Sequence, residues 1–281
     1  MKKYVLSTLL VISAFAEILA QKAPVSPVGL QLYSFRNQFA KDIPGTMAKV
    51  REMGFREVEL AGTYGLSNAD FKKLLDQNGL KAVSTGAGFE QLENDVPTIV
   101  RNAKDFGVKY VMCAWIPHKG DTFTIDDANR AVEVFNTAGK LLAENGLTFC
   151  YHIHGFEFQK MPDGNTYFDY LAKNLNPKYA NFQLDVFWAK MPGEDPVALL
   201  QKYPKRFLLS HLKDRKPGTP GNQTGHADVE TNVTLGQGDI GIAAFMKAAR
   251  KAGVRHHFIE DESSRSMEQM PLSIAFLRER K

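Results

Sequence analysis

The stretch FLLSHLKD at residues 207–214 puts a histidine, a lysine and an aspartate at the end of an apolar run. Such a run reads as a buried parallel strand with polar residues at its C-terminal mouth. Three other segments repeat the pattern. LTFCYHIH (147–154) ends in two histidines with Glu157 just beyond, NFQLD (181–185) ends in Asp185, and HHFIE (256–260) ends in Glu260. Successive strand ends therefore carry residue types that ligate metals, at the edge where open α/β sheets and closed (β/α)8 barrels place their chemistry.

Around these segments the chain repeats one unit, a helical pattern, a glycine and a strand. Gly54 precedes FREVEL, Gly79 LKAVST, Gly107 VKYVMC, Gly146 LTFCYH and Gly253 VRHHFIE. Each glycine suits the left-handed residue that ends a helix. With an opening strand at 28–34 and the strands ending at Asp185 and His211, the pattern predicts eight strands, an α/β fold and a single (β/α)8 TIM barrel over residues 28–280. The longest irregular stretch, 215–234, follows the HLKD strand and is expected on the active-site face. Before the barrel, Lys2 and Lys3, an apolar run from Tyr4 to Phe15 and Ala20 read as a secretory signal peptide over residues 1–20, followed by a linker over 21–27. The expectation is an exported, periplasmic protein with no stable membrane insertion once the signal is removed.

Lys+Arg number 35 against 31 Asp+Glu, scattered rather than blocked, which gives no nucleic-acid surface. Cys113 and Cys150 each fall inside an apolar strand and are expected as two separate core thiols. Nothing in the pattern specifies an oligomeric state.

Side chains alternate along a strand, so residues sharing parity with a mouth ligand point into the barrel. That sends Asn181, Gln183 and Asp185 inward, likewise Glu57 and Glu59, and puts Cys150, His152 and His154 on one face. Carboxylates and neutral imidazoles converging in a shielded mouth call for a positive charge among them, and a mixed N/O set suits one divalent metal ion (Mn, Zn, Co or Fe) better than calcium.

LDVFW followed by GEDP, then HLKD, then a strand ending in IE, resembles the xylose-isomerase-like barrel family of sugar epimerases, isomerases and inosose dehydratases; the opening QLYSFR is also similar to that group. The resemblance covers about residues 28–280. It implies one metal held from the ends of strands five to eight by Glu, Asp, His and Glu, of which the last three fall on Asp185, His211 and Glu260. The first falls on His152, within YHIHGFEF, a string that resembles the YHNHxxEF signature of a subgroup nearer to inosose dehydratases and enzymes of 3-keto sugars. His154 and Glu157 are alternative fourth ligands. The family's epimerases use two metal-bound glutamates, and this chain supplies only Glu260.

The reaction so implied is proton abstraction α to a carbonyl, with Glu260 as base and His152 or His154 returning a proton or protonating a departing oxygen. The substrate is expected to be an unphosphorylated sugar or keto-sugar, and isomerisation or epimerisation is the family-level expectation, with β-elimination by a dehydratase or keto-glycoside lyase close behind. A catalytically inactive sugar-binding barrel is the rival from another class, and a three-zinc DNA-repair endonuclease on the same barrel would need more ligands than the chain offers. Lys213 shares the inward parity of His211 and could hold a substrate oxygen or pair with a mouth carboxylate such as Glu59. Trp115 and Trp188 could stack on a sugar ring. Arg36, Glu59, Glu157 and His226 are further candidate substrate contacts, and Asp214 is expected to orient the loop that follows it.

Overall fold

The computed structural model of the chain describes residues 28–279. The predicted signal peptide and linker, and residue 280 at the predicted end of the barrel, lie outside the described residues. Among the described residues no helix is long and apolar enough to cross a membrane.

Eight parallel strands close into a barrel. They are β1 (Val28–Gln31), β2 (Glu57–Leu60), β3 (Lys81–Gly86), β4 (Tyr110–Cys113), β5 (Thr148–His152), β6 (Ala180–Asp185), β7 (Phe207–Leu212) and β10 (His256–Ile259). Each pairs with its chain neighbour, and β1 closes the ring on β10 through Val28↔His257 to Leu30↔Ile259. The five predicted helix-ending glycines all sit at positive φ, from 59° at Gly79 to 102° at Gly54, which explains why glycine and not another residue stands there.

Strand alternation sorts the core into two compartments. Phe182 points outward against Phe168 (ring centroids 4.8 Å apart) and Phe207 (5.7 Å), where helices pack on the barrel. Val83, Tyr110, Cys150, Leu209 and Phe258 plug its inside. The two cysteines are free, and the register shows why. Met112 pairs with Cys150 and Cys113 with Tyr151, so Cys113 belongs to the outer layer and Cys150 to the inner one.

Two segments depart from the sequence expectation. The opening strand stops at Gln31 because the Gln31 side chain accepts a hydrogen bond from Tyr33 N (3.1 Å) and turns residues Leu32–Phe35 into a 3-10 helix. The stretch 215–234 is less irregular than its composition suggests. β8 (Asp214–Arg215) and β9 (Asn232–Val233) pair antiparallel at its neck. Asp214 accepts hydrogen bonds from the backbone of Gly236 (2.8 Å), Gly238 (3.1 Å) and Ile240 (3.3 Å), so it does orient the loop. Arg215 makes a two-pronged pair with Asp239 at 2.8 and 3.0 Å.

Candidate metal centre and cleft

Asp185 ends β6 and also starts a helix. Its Oδ1 caps Val186–Lys190 by accepting from Phe187 N (2.8 Å) and Trp188 N (3.2 Å), while its buried Oδ2 accepts no hydrogen bond. A buried carboxylate oxygen without a hydrogen bond is costly, and only the Lys213 ammonium, 3.4 Å away, offsets the cost here. That oxygen lies 3.9 Å from His152 Nε2 and 3.8 Å from His211 Nδ1.

Both imidazoles are held by their other nitrogens. His152 Nδ1 lies 3.0 Å from Gln183 Oε1, an atom that can only accept, so the proton sits on Nδ1 and the Nε2 lone pair faces Asp185. His211 Nε2 donates to Glu59 Oε1 at 2.5 Å, which turns Nδ1 toward Asp185. Glu59 also accepts from Gln31 Nε2 (2.7 Å) and Gln183 Nε2 (2.9 Å), so one buried carboxylate ties both histidine supports together. Such outer hydrogen bonds fix the tautomer and orientation of metal-binding histidines.

His152, Asp185 and His211 bring ligand atoms within 4.8 Å of one another. A cation at about 2.0–2.2 Å from each needs donors about 3–4 Å apart, and two imidazole nitrogens with a carboxylate oxygen suit zinc, manganese, iron or cobalt. Asp185 Oδ2, which accepts no hydrogen bond, the His152 Nε2 lone pair, and His211 Nδ1 once it gives up its proton therefore fit a divalent metal ion, which would take over the positive charge that the His211 proton supplies among these carboxylates. Glu260 stands at the same mouth, its Oε2 3.1 Å from His211 Nδ1 and 2.7 Å from Lys213 Nζ.

The electrostatics follow from burial and pairing. Burial, reinforced by His211, pushes His152 down to about 3, and burial with His152 nearby does the same to His154, also about 3. Burial opposes charge on His211, yet the Glu260 and Glu59 carboxylates override it and hold that group up at about 10. Lys213 is desolvated too, but Asp185, Glu260 and Glu262 raise it well above the ordinary lysine range. Burial would raise Glu260, but Lys213 and His211 pull it well below the usual carboxylate range.

Several predicted contacts turn out differently. Glu59 is fully buried beneath His211 and is a support, not a substrate contact. Lys213 pairs with Glu260 (2.7 Å), Glu262 (2.5 Å) and Asp185 (3.4 Å), not with Glu59. Glu157 does not reach the cleft and is no ligand. It is fully buried and accepts from the Tyr151 hydroxyl, from His154 N (3.0 Å) and from Gly155 N (2.7 Å), because Gly155 at φ 97° folds the chain back after β5. Arg36 braces two residues of the cleft lining, Tyr33 and Glu262. Its guanidinium donates to Glu262 O (2.8 Å) and lies 4.5 Å from the Tyr33 ring centroid. Trp188 is buried behind His154, stacked at 4.5 Å, and presents no face to a sugar. His226 is exposed on the loop, its ring 5.4 Å from Trp115.

A cleft of about 550 Å³ opens above the centre, with His152, His154, His211, Glu260 and Trp115 in its lining. Gln31, Tyr33 and Glu262 also line it and were not among the candidates. Glu262 was within reach, since it lies two residues beyond Glu260. Parity directs Gln183 inward, but carries no sign that it orients His152.

A model of the xylose isomerase-like TIM barrel matches residues 47–280, most of the chain. The chain belongs to the xylose isomerase-like TIM-barrel family. An inosose dehydratase of Geobacillus kaustophilus (strain HTA426) is 23% identical over 213 residues, 68% of each protein. One of Klebsiella pneumoniae (MGH 78578) is 27% identical over 185 residues, covering 58% of this chain and 61% of that enzyme. Among solved structures, a sugar phosphate isomerase/epimerase from Parabacteroides distasonis superposes with a TM-score of 0.75 at 24% identity, covering 89% of this chain and 92% of the other. The IOLI protein, solved with a zinc atom, gives 0.68 at 14% identity over 90% and 95% of the two chains. At these identities the structural matches establish that this xylose isomerase-like chain shares their fold. The curated relatives are inosose dehydratases by name, and a sugar phosphate isomerase/epimerase shares the architecture.

Proposed function

We propose that this protein removes a proton α to a carbonyl on an unphosphorylated sugar or keto-sugar and expels the substituent on the β-carbon, as a metal-dependent dehydratase or lyase. The observation that carries the reading is Glu260. It is an ionised carboxylate lining the cleft, and the buried ammonium of Lys213 that fixes it at 2.7 Å also lies 3.4 Å from Oδ2 of Asp185, an oxygen that accepts no hydrogen bond. A divalent cation held by His152, Asp185 and His211, with Glu260 as the fourth ligand, would supply Lewis acidity to a carbonyl oxygen.

Glu260 takes the proton, and the C–H electron pair becomes the enolate. When the enolate collapses, the former C–H pair becomes the α,β double bond, and the β C–O bond breaks with its own electron pair going to the leaving oxygen. The proton needed by this oxygen comes from Glu260 itself. The histidines are poor donors because His152 Nδ1 is engaged with Gln183 and His154 Nδ1 with the carbonyl of Gly225 at 3.2 Å. One carboxylate acting as base and then acid requires proton and leaving group on the same face. Lys213 stays charged and keeps Glu260 in place. Among the described residues no lysine or arginine side chain is in the cleft lining, which supports a substrate without phosphate.

Aldose–ketose isomerisation is the second reading, since the same carboxylate could return the proton to a neighbouring carbon. Epimerisation, which needs a second acid–base group on the opposite face, is less well served by two histidines whose N–H groups are engaged. The names of the curated relatives favour elimination. Free ketoses and 3-keto-glucosides incubated in deuterated water separate the readings. Released water or aglycone means elimination, deuterium uptake with retained composition means isomerisation, and sugar binding with neither leaves a non-catalytic barrel.

A further inference from the structure

We infer that the cleft contains a second subsite, opposite the catalytic wall, that takes a planar apolar group attached to the sugar. This rests on the elimination proposed above, in which that group is the one that departs. The lining divides by chemistry. Gln31, His152, His211, Glu260 and Glu262 stand on one side, whereas Ala61, Ala87, Phe89, Met112 and Trp115 line the rest, with Tyr33 exposed at the rim.

Two glycines carry the inference. Gly86 and Gly88 line the apolar part, and neither has the positive φ that would demand glycine. A β-carbon added at either would meet no atom within 4 Å. Backbone conformation and packing therefore both admit a larger residue, and what glycine provides at these positions is open space in the cleft. The strip between them is fixed, because Ala87 N donates to Met112 O at 2.7 Å. Trp115 is held as well, stacked on His118 at 4.9 Å and edge-on to Phe156 at 4.9 Å, so little ordering is required when a ligand arrives.

The chemistry selects an aryl group over a second sugar ring. Apart from the Trp115 indole N–H, the rim hydroxyl of Tyr33 and the imidazole of His154 at the boundary, 5.4 Å from Trp115, the side chains here offer little to a ring of hydroxyls; the Cys113 thiol already donates to Trp115 O at 3.4 Å. Hydroxyls buried without partners are penalised, whereas an aromatic ring gains about 25 cal/mol per Å² of apolar area buried, and more where its edge or face meets Trp115. A cleft of about 550 Å³ leaves room beyond one pyranose ring.

The test uses unreactive glycosides, so that binding is read apart from catalysis. Methyl and phenyl β-glucosides, the matching galactosides, and cellobiose are titrated into the full protein by calorimetry. In at least one sugar series the phenyl glycoside should bind about tenfold more tightly than the methyl one, about 1.4 kcal/mol, with cellobiose no tighter than methyl glucoside. Gly86→Leu and Gly88→Leu should each abolish the phenyl advantage, and either variant suffices should the other fail to fold. Equal binding of phenyl and methyl glycosides, tighter binding of cellobiose, no binding by any of the panel, or a phenyl advantage that survives substitution would overturn the subsite. A phenyl preference without turnover of keto-glycosides would instead sink the elimination and leave the subsite standing.

Discussion

Glu59 makes no contact with the cleft, yet three buried donors, from Gln31, Gln183 and His211, converge on it. Outer-sphere partners of this kind typically matter 10–100-fold in metal affinity. Glu59→Gln, which keeps the shape but cannot accept equally from all three, is therefore expected to weaken metal binding by about that factor, read by titration of the purified protein against a fluorescent chelator. Asp185 allows a cleaner separation, because one oxygen caps a helix and the other is free for a cation. Asp185→Asn and Asp185→Ala should both lose bound metal by elemental analysis, but Asn retains a capping oxygen and should unfold in urea about 1 kcal/mol later than Ala. Equal metal content in both variants and the parent would reject the site. At this scale the sequence was informative about direction and silent about depth. Position at a strand end placed Asp185, His211 and Glu260 at the mouth, but parity sent Glu59 inward without showing that it stops a layer below. Glu157 lies beyond the end of β5, where parity no longer applies.

Strands carry a second kind of buried histidine on their outer faces. His257 on β10 meets Ser210 Oγ on β7 at 2.6 Å and Phe245 of the helix Ile242–Ala252. Burial, with His256 and Arg250 nearby, pushes it down to about 4. Unfolded, it titrates near the ordinary value of about 6.5, so as pH falls the unfolded chain takes up the proton first. Its contribution is complete above pH 6.5 and is lost progressively between 6.5 and 4. Melting temperatures across that window should fall less steeply for His257→Gln than for the parent, and identical slopes would show that this residue does not set the acid response. The repeat of helix, glycine and strand was legible because positive φ leaves a glycine in the chain wherever a helix ends that way. The two-residue strands β8 and β9 were not, because their pairing depends on residues eighteen or so positions apart that carry no periodic signal.

For the molecule as a whole, the exported location is a proposal that rests on residues 1–20. Mass spectrometry of protein recovered from an exporting host should find those residues removed, and retention of Met1 would defeat it. Passage through an oxidising compartment should still leave two thiols, since Cys113 and Cys150 occupy opposite faces of adjacent strands. Thiol titration of the denatured, unreduced protein is expected to return both, and a value near zero would mean that the layers described here do not hold in solution.

The antiparallel neck formed by β8 and β9, with Asp214 gripping the backbone at Gly236 and Gly238, has an implication for how this barrel could diversify. Residues 216–231 leave and re-enter the fold at a fixed doorway, so their length can change while His211 stays where it is, provided that Gly225 keeps its carbonyl on His154. Once a loop is pinned at its base, doubling its length costs only about 0.6 kcal/mol in closure entropy. Swapping the segment between related barrels would therefore change the surroundings of His154 and Trp115 while leaving the floor at His152, Asp185 and His211 in place.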